Sequence, residues 1–273
     1  MIAFVHINKT AGTNLKYLLR RSFGGKHCDV RIWPPQSKAD REEKKKVLTA
    51  KDLKNTKWIY PGLKSIAGHN VTSYSDLSSI EGLRFYTFLR EPIARTASHY
   101  QFMLRHDPNL EPFEEWIKKS HYRNVQVSKI AGEENADKAI EIIKKDFGFV
   151  GLSESYDESL LLFKKWANEP SLDVRYKSLN VAAKTEKASS LLTDPATLEL
   201  MKEANREDLK LYEFVVNEIY PPQVAAYGDS LKEDLAAFIE QNKVFKKRKS
   251  NRGKIQRGLY WTFLPWISRG SEF

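Results

Sequence analysis

Apolar residues along the chain fall into short continuous runs closed by polar turns, and these alternate with stretches in which they recur every three or four positions. Ile2-Ala-Phe-Val-His-Ile7 is such a run; the turn Asn8-Lys-Thr-Ala-Gly-Thr13 follows, then the helical spacing of Leu15, Leu18, Leu19 and Phe23. The order is strand, loop, helix. Leu83-Arg-Phe-Tyr-Thr-Phe-Leu89 predicts a second strand, and Arg90-Glu91-Pro92 places proline in the first turn of a helix carried by Ala97, Tyr100, Phe102 and Leu104. Helical spacing recurs over 112–119, 136–145 and 156–166, with a strand at Phe147-Gly-Phe-Val-Gly-Leu152 between the last two. Asp194-Pro195 reads as an N-cap with proline behind it, opening one long helix through Leu198, Met201, Leu209, Tyr212 and Val216. This alternation predicts an α/β protein: a mainly parallel central sheet flanked by helices in three layers.

Composition adds limits. Six Trp, twelve Tyr and fourteen Phe supply core material, and the single Cys28 cannot form an internal bridge, so folding rests on packing. The chain reads as one domain over 1–269, with a charged excursion at 34–57 and a basic then aromatic segment at 243–269; Gly270-Ser-Glu-Phe273 resembles a cloning remnant. The opening run is a strand with no basic lead-in or cleavage site, and no window reaches the roughly 20 apolar residues of a membrane span. A cytoplasmic location is the resulting expectation.

The net charge of +10 favours anionic ligands. It does not select among nucleotide, lipid, polysaccharide and nucleic acid, although no specific nucleic-acid motif accompanies it. The stretch 243–257 suits either peripheral contact with an anionic surface or a solvated basic face leading into a segment packed on the core.

The first strand-to-helix turn would leave the backbone N–H groups of Thr10, Ala11, Gly12, Thr13 and Asn14 unpaired at the positive end of a helix, with Lys9 adding a full charge and Gly12 allowing close approach. That suits a phosphate-like anion, and it would also serve as an ordinary tight β–α connection. The usual nucleotide loop has its lysine after the glycines, whereas Lys9-Thr10 precedes Gly12 and no glycine stands upstream. At the second junction Arg90 and Ser98, eight positions apart, could grip another phosphate, with Arg95 and His99 as nearby alternatives; surface ion pairing is the plainer reading.

Taken together the two junctions resemble a known pattern. Phe4-Val-His-Ile-Asn-Lys-Thr-Ala-Gly-Thr13 is similar to the 5′-phosphosulfate loop of sulfotransferases that use 3′-phosphoadenosine-5′-phosphosulfate (PAPS), and Phe88-Leu-Arg-Glu-Pro-Ile-Ala-Arg-Thr-Ala-Ser98 to their 3′-phosphate motif. Ala67-Gly-His-Asn70, Phe149-Val-Gly-Leu-Ser-Glu154 and Asn205-Arg-Glu-Asp-Leu-Lys-Leu-Tyr212 resemble the carbohydrate branch, typified by heparan sulfate 2-O- and 6-O-sulfotransferases. The resemblance implies a P-loop-like fold, PAPS as cofactor without a metal, and a small-molecule or glycan acceptor. It assigns Lys9 to Asn14 to the 5′-phosphosulfate and Arg90 and Ser98 to the 3′-phosphate. Lys184 and Thr185, in the basic stretch 177–185, would close over the nucleotide, or that stretch is a solvated loop. Glu91 stands where an Asp is more usual.

Sulfuryl transfer needs positive charge at the leaving phosphate and a base for the attacking hydroxyl. Lys9 fits the first task. His69 resembles the catalytic histidine of the carbohydrate branch and is the expected base, with Glu91 as fallback and His6 buried in the first strand. Sulfation of a phenolic or polyhydroxylated natural product would use the same machinery. A P-loop kinase would account for Lys9-Thr10 alone.

Overall fold

The computed structural model describes residues 1–31, 47–177, 191–246 and 253–267. Lys184, Thr185, residues 34–46 of the charged excursion and the tail 270–273 lie outside the described residues.

Five strands form one sheet: β1 (Ile2–Val5), β2 (His27–Asp29), β3 (Ser65–Gly68), β4 (Arg84–Leu89) and β5 (Phe147–Leu152). Their order is β2-β3-β1-β4-β5 and every pairing is parallel. Parallel strands are covered on both faces, which is why β1 and β4 read as continuous apolar runs. Strands β2 and β3 escape a reading of periodicity because they hold three and four residues, some of them polar. Burial of those polar groups is offset locally, as where the His27 imidazole Nδ1 meets the Ser65 hydroxyl at 3.0 Å.

Ala3 and Val5 point to one face of the sheet, packed with Leu53, Tyr60, Tyr260 and Leu264. That layer consists of α2 (Ala50–Ile59) and the C-terminal helix Lys254–Ile267. Ile2 and Phe4 point to the other face, among residues of α1 (Gly12–Phe23), which follows β1 directly. The same layer holds the helices Val125–Ala131, Ala136–Asp146 and Tyr156–Ala167, whose buried faces carry Ile130, Ile143 and Phe163. The result is the expected three-layer α/β architecture with the sheet wholly parallel.

After β4 comes α3 (Pro92–His106), with Pro92 in its first turn as the sequence predicts. A one-turn helix, α4 (Phe113–Trp116), is followed by α5 (Val125–Ala131), α6 (Ala136–Asp146) and α7 (Tyr156–Ala167). Asp194 caps its helix as expected, accepting from the Thr197 N–H at 2.7 Å, but the long helix breaks into α8 (Pro195–Ala204) and α9 (Arg206–Phe214). The break falls at Asn205, whose side chain donates to the Met201 carbonyl and accepts from the Thr96 hydroxyl. A π-helical turn at Val215–Ile219 then leads into α10 (Tyr220–Tyr227). Pro221 and Pro222 have no N–H to continue an ordinary helical ladder, which favours a wide turn there. Helices α11 (Leu231–Val244) and α12 (Lys254–Ile267) complete the described chain.

Two buried charges of opposite sign, not in direct contact, lie among three of these helices. Arg95 of α3 and Asp208 of α9 are both fully buried. Asp208 accepts from the N–H groups of Gln126 at 3.1 Å and Val127 at 2.8 Å, in the first turn of α5. Burial pushes the Asp208 carboxyl up and the Arg95 guanidinium down, and the attraction between them opposes both shifts.

Asp208→Ala leaves the N–H groups of Gln126 and Val127 without their acceptor and withdraws the opposite charge that favours the Arg95 guanidinium, and it should cost about 3–5 kcal/mol in urea unfolding. At Gly68 a Cβ would lie 2.6 Å from the backbone oxygen of Val30. Gly68→Ala, by forcing β2 and β3 apart, should cost about 1–3 kcal/mol in the same measurement.

Candidate active site

Strand order places the candidate residues. The chain leaves β1 toward β2 on one side and leaves β4 toward β5 on the other, so a crevice opens at their carboxyl ends. The 6–11 loop follows β1, Arg90 follows β4, and His69 follows β3 on the far side of β1. Three segments separated by up to 80 residues thus meet at one sheet edge.

The loop after β1 is held in an uncommon shape. Lys9 and Ala11 have φ of 71° and 62°, a region that non-glycine residues rarely occupy. The Thr10 hydroxyl donates to the Ile7 carbonyl at 3.1 Å and braces the turn from inside. The Asn14 N–H donates to the Ala11 carbonyl, so it is not one of the cradle's free donors. The N–H groups of Thr10, Ala11, Gly12 and Thr13 have no acceptor among the described residues, and they sit where α1 begins. A nest of free amides at a helix N-terminus is an anion site.

Gly12 does allow a close approach, although to a side chain of the protein: a Cβ there would come within 2.0 Å of His6 Nε2. His6 lies one residue past the strand, stacked between Phe4 at 5.3 Å and His69 at 4.1 Å. Burial, with the nearby imidazole of His69, pushes its pKa down to about 2, so its ring is neutral.

His69 carries the chemistry of this stack. Its Nδ1 is 3.1 Å from the His6 carbonyl oxygen, which can only accept, so Nδ1 bears the proton and Nε2 keeps its lone pair. Burial and the ammonium of Lys129, which donates to the His69 carbonyl, lower its pKa to about 4. His69 as a whole residue is exposed, which tempers the depression but not its direction: the imidazole is neutral at pH 7.

Arg90 is fixed from both sides. Gln126 accepts from its N–H at 3.0 Å and donates to its carbonyl at 2.8 Å, while Nη1 reaches across the crevice to the Lys9 carbonyl at 3.3 Å. Its guanidinium is partly desolvated and faces Glu154 and Glu91. Glu91 uses its carboxylate to cap α3, accepting from the N–H groups of Ile93 at 3.0 Å and Ala94 at 2.6 Å, so a structural role displaces the fallback role of base.

The Lys9 ammonium lies 4.5 Å from the centre of the Phe102 ring, one helical turn beyond Ser98 on α3. Burial lowers its pKa, and so does repulsion from Arg105 and Arg90. Ser98 is half-buried and its hydroxyl has no partner among the described residues. Arg95 and His99, the alternatives to Ser98, are buried within the packing around α3, and His99 stands edge-on to Trp116 and Tyr122.

Gln126, on a short helix far from both motifs, carries no signal in the sequence, and Asp208, although it lies in the 205–212 stretch, acts through the Gln126 and Val127 amides, which no linear pattern shows. The stretches 149–154 and 205–212 do converge here: Glu154 accepts from the Glu91 N–H at 3.0 Å and from the Tyr212 hydroxyl at 2.9 Å.

The site therefore combines free loop amides, a lysine and an arginine repelling one another, and a neutral imidazole with one available nitrogen. It can bind a multiply charged anion and remove a proton beside it. None of the curated proteins compared with the chain matches it. A model of the sulfotransferase family matches residues 1–259, which favours sulfuryl transfer over the kinase reading. The chain belongs to the sulfotransferase family.

Proposed function

We propose that the protein is a PAPS-dependent O-sulfotransferase acting on a carbohydrate hydroxyl, with His69 as base. The observation that carries the reading is the meeting, on adjacent strands β3, β1 and β4, of a neutral imidazole, an amide nest with its lysine, and a clamped arginine. The residues fit the cofactor: the nest and Lys9 suit its 5′-phosphosulfate, and Arg90 with the partner-free Ser98 suits its 3′-phosphate. When bound, PAPS supplies an activated sulfuryl group on a phosphate leaving group.

Each residue then has a defined task. The loop amides and Lys9 hold negative charge where it grows on the leaving phosphate, already oriented and partly desolvated. His69 Nε2 would take the proton that the acceptor hydroxyl gives up. The His6 carbonyl, hydrogen-bonded to Nδ1, fixes the ring orientation and favours the imidazolium that forms. Gln126 holds the Arg90 backbone, so the guanidinium approaches its phosphate from a fixed base.

Calorimetric titration with adenosine 3′,5′-bisphosphate, with ATP and AMP in parallel, tests the cofactor. Tight binding of the bisphosphate, lost in Arg90→Ala, supports the reading; preference for ATP overturns it. His69→Ala should lower kcat by about 10²–10⁴-fold with bisphosphate affinity intact. Because the base must be unprotonated and its pKa is lowered to about 4, kcat/KM should stay flat as pH falls through 6.5. Its acid limb should appear only below about pH 5.

A further inference from the structure

Helix α12 carries two apolar stripes. Tyr260, Leu264 and Ile267 face inward and pack on α2 and the sheet. Ile255, Leu259, Phe263 and Trp266 recur at spacings of four, four and three and are exposed, Ile255 by 75%. Trp261 is exposed on the flank beside Lys254, with the Arg31 guanidinium 5.1 Å from its ring centre. The neighbouring helix extends this surface. Asn55 of α2 donates to the Ile267 carbonyl at 3.2 Å, and one turn farther on Trp58 is 76% exposed. Lys51, Lys54 and Lys57 are exposed on the same helix.

Among the described residues, the exposed charges that α2 and α12 themselves carry are basic: Asp52, the acidic residue of α2, is fully buried, α12 holds Lys254 and Arg257 with no Asp or Glu, and the nearby exposed carboxylate of Asp76 is engaged by the Ala50 N–H at the start of α2. The 14-residue α12 is short, and among the described residues no helix is long and apolar enough to cross a membrane.

We infer that α12, with α2 beside it, is a docking surface for an anionic lipid bilayer: the Ile255, Leu259, Phe263 and Trp266 stripe enters the acyl boundary and the surrounding lysines and arginines meet the lipid phosphates. Exposed Trp, Phe, Leu and Ile bordered by cations is the pattern of a helix lying in the membrane interface. An anionic polysaccharide or nucleic acid would satisfy the cations but offers nothing to cover aliphatic Ile255 and Leu259. A second copy of the chain would cover the apolar stripe but would set Lys51, Lys54 and Lys57 against like charges.

The test is co-sedimentation of the full chain with vesicles of phosphatidylcholine alone and of phosphatidylcholine containing phosphatidylserine at about 30%. The wild type should sediment with the anionic vesicles and far less with the neutral ones. F263S/W266S should weaken that binding by about tenfold or more, with an unchanged thermal unfolding midpoint because both side chains are exposed. K51E/K54E/K57E should remove the preference for anionic lipid. Failure to sediment with either vesicle, or undiminished binding by F263S/W266S, overturns the proposal. So does tight heparin binding without vesicle binding, which assigns the surface to a soluble polyanion. A lipid-free dimer abolished by F263S/W266S overturns it as well, by assigning the surface to self-association.

Discussion

The arrangement of the site depends on a buried carboxylate that never touches it. Arg95 and Asp208 are both excluded from water, and an ion so placed is tolerated only when opposite charge and hydrogen bonds replace the lost hydration. Asp208 meets that condition by accepting from the first amides of α5, which fixes the helix that carries Gln126. Gln126 in turn grips both backbone groups of Arg90. The Arg90 guanidinium thus inherits its position, through two layers of hydrogen bonds, from a carboxylate buried behind α3. Buried charges stabilise a fold weakly compared with apolar packing, so the effect of Asp208 lies in fixing geometry.

The loop after β1 is governed by a different constraint, that of space. The His6 ring occupies the room a side chain at position 12 would fill, and the absence of a Cβ brings the start of α1 down onto it. That contact sets where the free amides of the loop point. The same ring stacks on His69, and the His6 carbonyl fixes its tautomer, so the nest and the imidazole are built against one residue. Left-handed backbone at Lys9 and Ala11 carries a conformational cost of about 1–3 kcal/mol each, sustained because the packing around the loop leaves no alternative.

The sequence makes the site easier to read than the scaffold. Lys9 to Thr13 and Arg90 stand out only together: alone, the turn also reads as a tight β–α connection and the arginine as a surface ion pair, and it is two such junctions in one order at one sheet edge that carry the signal. His69 needs the family resemblance, since one histidine in a polar stretch has no signature of its own. Strands β2 and β3 are too short to show a period, and the pairing that makes them strands is with residues 38 to 63 positions away. The break at Asn205 was hidden for a similar reason: its apolar neighbours keep helical spacing, while the bond from the Thr96 hydroxyl that engages its side chain comes from another helix. What the linear pattern lacks in each case is the identity of a distant partner.

Positive charge illustrates how one bulk property divides into separate functions. At the carboxyl edge Lys9 and Arg90 are partly withdrawn from water and the Arg90 charge disfavours that of Lys9, so a dianion placed between them would offset both the repulsion and the lost hydration. Interactions in such a setting are screened weakly by salt. Lys51, Lys54 and Lys57 stand in solvent on the outer layer, where screening over a Debye length of about 8 Å at physiological ionic strength limits them to collective, long-range attraction. The two groups of cations contribute to the same +10, yet the first can recognise one molecule and the second only a charged surface. Net charge foreshadows affinity for anions, whereas the depth at which each cation is buried determines which anions they are.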